Sequence, residues 1–329
     1  PRIAVLSHGN VAASIEQSRS SAPGLADKNH VILGVMPLTH VLGIVSVVAV
    51  AISVGATVVL ATKPDVDSIV DAVMQNQVTF LVAPPVFWFR LANSEVEPAM
   101  LASVTMTLSG AAPLSGAVAD TVAERFGLKL CQGYGLTEAS PGLTSAVGTE
   151  APTTSVGRPM PGVKLRLVDE QGDDVPVGDV GELWAQGANV FTGYLGDPEA
   201  TAAVIDEEGW LHTGDLAVVD ENGFFYIVGR NKDQIVVSGF NVYPGEVEDR
   251  LMEHHSVEAA AVVGNPDPEY GELVVAYIVA ARGMEADPDV LEAHCRTRLA
   301  GYKVPSRFEI VNDLPRGATG KLRRHVLRK

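Results

Sequence analysis

GWLHTGDLAVVDENGFFYIVGR, residues 209–230, reads as two short strands, 216–219 and 224–228, joined across Asp220-Glu221-Asn222-Gly223. Asn-Gly between apolar runs signals a hairpin, because both residues tolerate the positive φ that a type I′ turn demands. With Asn222-Gly223 as a two-residue loop, Glu221 pairs with Phe224, Val219 with Tyr226, and Asp215 with Arg230. Directly opposed side chains lie roughly 5 Å apart at Cβ. The open end of the hairpin then holds one carboxylate and one guanidinium, each beside a glycine, Gly214 and Gly229. An acceptor-only group next to a five-donor fork suits adjacent hydroxyls, such as those of a ribose. The pair also reads as a hairpin-end ion pair worth ~0–1 kcal/mol. These two residues alone leave both readings open.

Outward from this hairpin, the chain has room for two domains or more: 329 residues, 47% hydrophobic and 19% charged, without a low-complexity tract or repeat. A net charge of −16 argues against general affinity for nucleic acid or anionic membrane. The last nine residues, KLRRHVLRK, run against that trend with five Lys or Arg and read as a solvated tail, Lys321 set apart. Cys131 and Cys295 lie far apart with no CxxC or His-rich setting, which disfavours metal and redox roles and fits a reducing, cytoplasmic compartment. Residues 41–61 are nearly all apolar, but Gly55-Ala56 splits them into a helix-like and a β-branched run, with no positive-inside flank. A buried helix leading into a buried strand is the reading, not a transmembrane segment. No signal peptide is expected, and Pro1 opens on a strand-like run, as if the chain began inside a domain.

Residues 1–150 alternate strand candidates (31–35, 57–60, 80–83, 105–109, 129–132) with helical stretches such as 66–75 and 114–126. Such alternation implies an α/β domain with a parallel sheet covered by helices. Residues 155–230 are glycine-rich with short strands, 164–168 and 181–186, and suggest a small β subdomain. After the junction at 230–232 comes a βαβ-type run: helix 246–254, strands 257–264 and 273–280, helix 289–299 and strand 307–311. The expected organisation is a partial large domain over 1–229, a hinge over 230–232, and a small α+β domain over 233–329.

Chemistry gathers in four places. Gly133-Tyr134-Gly135-Leu136-Thr137-Glu138 follows a strand candidate, where open α/β sheets bind ligands. Its glycines let backbone N–H groups approach phosphate, Thr137 and Glu138 offer a hydroxyl and a carboxylate for Mg²⁺, and Tyr134 suits a purine face. A tight turn with a surface Glu reads equally well. Ser109-Gly110-Ala111-Ala112-Pro113 is a small-residue floor for a flat ring or a plain strand-to-helix turn. His40, in Pro37-Leu38-Thr39-His40, reads more readily as a structural histidine. Leu314 to Lys321, LPRGATGK, ends in a lysine whose ammonium can neutralise charge developing on a phosphoryl or carboxylate oxygen. It is not a P-loop: Gly317 stands four before Lys321, and Leu322 fills the Ser/Thr position.

In order, SHGN (7–10), PLTHVLG (37–43), SGAAPL (109–114), GYGLTEAS (133–140), GELWAQG (181–187), GWLHTGDL (209–216), VGRNKDQIVVSGFNVYPGEVE (228–248) and PRGATGK (315–321) resemble the adenylate-forming superfamily. That group comprises acyl- and aryl-CoA synthetases, luciferases and peptide-synthetase adenylation domains, and the SGAAPL, GYGLTEA and GWLHTGD forms look most like fatty acyl-CoA and 4-coumarate-type CoA ligases. The resemblance implies that a carboxylic acid and ATP give an acyl-adenylate and pyrophosphate, and that CoA thiol then displaces AMP. It assigns the ribose hydroxyls to Asp215 with Arg230 beside it. Adenine goes to Tyr134, with Gln132 and the backbone of Ala111, Ala112 and Pro113 around the base. Phosphate contact goes to Thr137, Mg²⁺ to Glu138 and the acyl gate to His40. Lys321 bridges acyl carboxylate and α-phosphate, Lys232 is the hinge, and Ser238, Gly239 and Phe240 line the pantetheine path. One domain presenting two faces in turn meets the opposed needs of the two steps.

The pattern departs from the family at the start. A phosphate loop should precede a PKG segment, and here Pro1-Arg2-Ile3 stands in its place with nothing before it. The expectation is a ligase without its N-terminal part, whose partner is that missing half or a second copy of the chain. A catalytically incompetent fragment that binds nucleotide or serves as an interaction module is the rival. An amino-acid adenylation domain ranks below both, since no Asp for an α-amino group follows PLTH and no carrier domain follows Lys329. A luciferase-type oxygenase shares all these motifs. The acyl group is not legible: 86–89 (VFWF) and the 41–50 helix fit an apolar pocket or plain core.

Overall fold

The structure, a computed structural model, describes residues 2–21, 24, 27–61, 63–317 and 322–328. The chain forms two compact units, Pro1–Thr213 with Ala217–Ile227, and Gly214–Leu216 with Val228–Lys329.

The first unit is built on a parallel sheet in the spatial order Thr57–Leu60, Val31–Gly34, Phe80–Ala83, Met106–Ser109. Phe80–Ala83 is buried along its whole length, as a strand covered on both faces must be. The crossover helices follow local rules. Val66–Asn76 starts where the Asp65 carboxylate accepts the Ser68 N–H at 2.9 Å, and Gly116–Phe126 stops at Gly127 with φ +68°. Ile69, Val70 and Val73 of the first helix meet Leu81, Trp88 and Leu91 in one core.

The structure refines two readings in this region. The apolar segment 41–54 is helical, but Leu42–Ala49 is a π-helix that only then becomes α at Val50–Val54. Its start is tight: a Cβ on Gly43 would lie 2.5 Å from the Pro37 carbonyl oxygen. Residues 86–89 belong to the helix Pro85–Ala92, where Phe87 and Trp88 are core and the Trp88 indole donates to the Ala83 carbonyl at 3.2 Å.

The β-rich part contains an antiparallel sheet in the order Phe225–Arg230, Leu211–Val219, Gly181–Gln186, Lys164–Val168. Its hairpin is not the two-residue type I′ form. Gly223 N–H donates to Asp220 O, Asp220 N–H donates to Phe224 O, and Gly223 alone takes positive φ, +77°. This is the three-residue loop with a left-handed glycine at its end, so Asp220, and not Glu221, faces Phe224. The Asp220 carboxylate accepts the Asn222 and Phe224 N–H groups at 2.9 Å each, which favours the three-residue loop over 221–223.

The second unit has a five-stranded sheet. Phe240–Val242, Ile235–Val237, Gly271–Ala280 and Val257–Asp267 run antiparallel, and Arg307–Ile310 joins Gly271–Ala280 in parallel after the helix Pro288–Arg296. A type I′ two-residue turn does occur here, at Ser238-Gly239, with φ of +51° and +84° between the pair Val237–Phe240. The basic C-terminal run is not a solvated tail over 322–328. Leu322 and Leu327 pack on the cluster of Ala261, Val263 and Val275, and the Tyr277 hydroxyl donates to the Leu327 carbonyl at 3.0 Å. Arg324 grips the buried Glu248 carboxylate at 2.6 Å, whose other oxygen accepts the Val262 N–H at 2.7 Å.

Candidate functional site

In the first unit, three separated segments meet. The strand ending at Ser109 touches Gln132 through one bridge pair, and Ser109 N–H donates to the Cys131 carbonyl at 2.7 Å. Residues 129–132 form no strand beyond that contact. The strand lies one step later, Gly133–Gly135, antiparallel to Gly142–Ser145. Gln132 is buried and spends its amide on the backbone: Oε1 accepts the Leu114 N–H at 3.3 Å, and Nε2 donates to the Thr153 carbonyl at 2.7 Å. It thereby fixes the loop that carries Ala111, Ala112 and Pro113, all exposed. Ala111 holds φ +74°, a conformation costing roughly 1–2 kcal/mol for a residue with a Cβ. Strain of that kind collects where a ligand needs backbone presented.

The His40 turn adjoins this loop. Nδ1 of His40 accepts the Leu42 N–H at 3.2 Å, and Leu42 Cδ2 would lie 3.2 Å from a Cβ on Gly110. An accepting Nδ1 puts the proton of the neutral ring on Nε2.

Thr137 and Glu138 occupy the short 3-10 turn Thr137–Ala139. Gly135 lets this turn fold back, since a Cβ there would lie 1.9 Å from the Pro141 carbonyl oxygen. Asn189, fully buried, clamps the turn from below by donating to the carbonyls of Ala139 and Gly142 at 2.9 and 2.8 Å. Tyr134 packs against two core clusters, one containing Leu143 and the other Leu183. Thr137 is exposed and Glu138 half-buried. A hydroxyl and a carboxylate are hard oxygen donors of the kind Mg²⁺ prefers, so these residues fit that ion. Glu138 Oε1 accepts the Tyr194 hydroxyl at 2.7 Å, and burial together with that carboxylate pushes the phenol up to about 12. Tyr194 and Asn189 were not foreseen from sequence, because nothing local ties them to a turn about 50 residues earlier.

In the second unit, Asp215 and Arg230 are neighbours as expected, with Nε to Oδ1 at 2.8 Å. The Asp215 side chain is 6% exposed and that of Arg230 36%. Gly214 precedes the carboxylate with φ +68°, and a Cβ there would meet nothing within 4 Å. A positive-φ glycine inside a strand marks a local break, often where another group comes close. Lys232, exposed, sits in the turn Asn231–Asp233, and its carbonyl accepts from Arg328 at 3.2 Å. Ser238 and Gly239 form the type I′ turn, and Phe240 stacks on Tyr302 with centroids 4.9 Å apart. Lys321 lies outside the described residues.

Among the described residues, no helix is long and apolar enough to cross a membrane, and no group of three or more His, Cys, Asp or Glu is placed to hold a metal ion.

Comparison with known proteins gives one answer. The sequence model for AMP-binding enzyme matches residues 1–195, and that for AMP-binding enzyme C-terminal domain matches residues 246–321. The chain is 37% identical over 332 residues to a feruloyl-CoA synthase of an Amycolatopsis species, covering 100% of this chain and 67% of the relative. It is 37% identical to a long-chain-fatty-acid–CoA ligase of Bacillus subtilis, with 99% and 59% covered. Its fold is similar to that of ATP-bound MatB from Rhodopseudomonas palustris, with a TM-score of 0.90 at 32% identity, covering 99% of this chain and 64% of that one. The chain thus spans about 60 to 67% of the length of these relatives.

Proposed function

The chain belongs to the AMP-binding enzyme family, and from that premise we propose that it works as part of an ATP-dependent acyl- or aryl-CoA ligase. The reaction joins a carboxylic acid to AMP with release of pyrophosphate, then transfers the acyl group to the thiol of CoA. The observation that carries this reading is the buried carboxylate of Asp215, held by Arg230 beside an open glycine within the GWLHTGDL motif. Support for the acid-thiol ligase class comes from the CoA ligases that align with the chain from end to end.

In this reading Asp215 accepts hydrogen bonds from the ribose hydroxyls, and Arg230 keeps its carboxylate oriented. Tyr134 offers its ring to the adenine, while Gln132 holds the Ala111–Pro113 backbone toward the base edge. Thr137 contacts phosphate, and Glu138 with Thr137 would hold Mg²⁺, which neutralises phosphate charge when bound. His40 gates the acyl side. Lys321 brings a cation to the acyl carboxylate and α-phosphate during adenylation, and rotation about Lys232 removes it so that Ser238, Gly239 and Phe240 can line the thiol path. A cytoplasmic setting belongs to the same reading, supported by the free thiols of Cys131 and Cys295.

Lys321→Ala in the complete enzyme tests the division of labour. Pyrophosphate release should fall by orders of magnitude, while thiolysis of supplied acyl-adenylate continues. Unchanged pyrophosphate release sinks the role of Lys321. Titrating AMP, ATP and CoA into this chain alone separates a ligase piece from a mere interaction module, which would bind none of them.

A further inference from the structure

Tyr194 is held on every side. Its N–H donates to Thr201 Oγ1 at 2.9 Å, and its backbone pairs with Ala4. The Phe191 ring meets it edge-on at 5.0 Å, and the Arg2 guanidinium lies 5.3 Å from its centroid. The ring therefore has a fixed place, and its hydroxyl points at Glu138 Oε1, 2.7 Å away. Three residues before Tyr194 the backbone takes part as well: Phe191 N–H donates to the Glu138 carbonyl at 2.8 Å. One short segment thus grips Glu138 at both its main chain and its carboxylate.

A free carboxylate rotates about its last torsion, whose wells are broad. Mg²⁺ demands near-octahedral geometry and commonly takes one oxygen from each of one or two carboxylates. We propose that Tyr194 is a positioning residue for Glu138: its hydroxyl occupies Oε1 and leaves Oε2 as the single oxygen presented to a divalent cation bound with nucleotide phosphates. This rests on the reading of Glu138 as the metal carboxylate. Partners that orient a metal ligand typically contribute 10–100-fold to affinity.

The test is the gain in ATP affinity on adding Mg²⁺, measured by calorimetry on this chain in Mg²⁺ and in EDTA. Tyr194→Phe keeps the ring and its contacts, and its melting temperature checks the fold. It should cut the Mg²⁺-linked gain about ten-fold and leave affinity in EDTA unchanged. Glu138→Asp, which withdraws the carboxylate from an intact Tyr194, should lose a similar share. On a Glu138→Gln background, Tyr194→Phe should add less than about two-fold, because residues acting through one another are not additive. If Glu138→Gln abolishes the gain while Tyr194→Phe or Glu138→Asp retains it, the positioning role is overturned and the reading of Glu138 stands. If the wild-type chain shows no gain, or Glu138→Gln keeps it, both are overturned.

Discussion

Replacing Asp215 with Asn tests the nucleotide reading at its strongest point. The Asp215 side chain is 6% exposed, so little water is available to substitute for it. A hydrogen bond to a charged group contributes about 1.5–3 kcal/mol. At ten-fold per 1.4 kcal/mol, losing the equivalent of one such bond weakens AMP binding about 10- to 150-fold. The stability cost should be smaller, about 1 kcal/mol, because Arg230 is 36% exposed and regains water when its partner loses charge. Calorimetric titration of AMP and of 2′,3′-dideoxy-AMP into wild type and Asp215→Asn separates the two effects. Wild type should discriminate strongly against the dideoxy compound and the variant only weakly. Equal discrimination by both proteins, or an AMP affinity within about two-fold of wild type, would refute the ribose role and return the pair to an idle ion pair.

Gly135→Ala places a Cβ 1.9 Å from the Pro141 carbonyl oxygen, and should destabilise the first unit by about 1–3 kcal/mol, read from denaturant unfolding. Arg324→Ala strips the buried Glu248 carboxylate of its cation and should cost about 3 kcal/mol or more in the second unit. Adding Glu248→Gln to it should recover part of that loss, and a single variant that melts like wild type argues against the pairing. Burial, with His255, His294 and Arg250 nearby, holds His254 below its ordinary value. The unfolded chain therefore protonates first, so stability is full above about pH 6.5 and falls as pH drops below it. His254→Gln should flatten that slope in melting curves taken between pH 5 and 7.5.

The parts of the fold that were legible are those where a buried face imposes its own period. Residues 80–83, 164–168 and 181–186 form strands over the lengths the sequence suggested, and so does 57–60, although that strand, expected to be buried, is exposed at both ends and half-buried between. What failed was decided by side-chain partners that the hydrophobic pattern does not show. Asn222-Gly223 carries the type I′ signal, yet the Asp220 carboxylate captures the Asn222 and Phe224 N–H groups and turns the chain one residue earlier. The Asp215–Arg230 contact survives that change in the turn. Residues 129–132 look like a strand because Leu128 and Leu130 are buried, but only Gln132 finds a ladder partner. The C-terminal basic run looked solvated because its acidic partner, Glu248, lies 76 residues from Arg324. For the same reason Asn189, which holds the Ala139 and Gly142 carbonyls, and Tyr194, which holds the Glu138 carboxylate, left no local trace.

The most direct test of the ligase reading is pyrophosphate release and thioester formation by the protein containing this chain, screened over acids graded in chain length and ring content. The account predicts pyrophosphate release that requires both ATP and one class of acid, followed on addition of CoA by an acyl-CoA thioester and AMP in equal amounts. ATP cleavage to ADP, or acid-dependent pyrophosphate release that never yields a thioester with CoA, would contradict it.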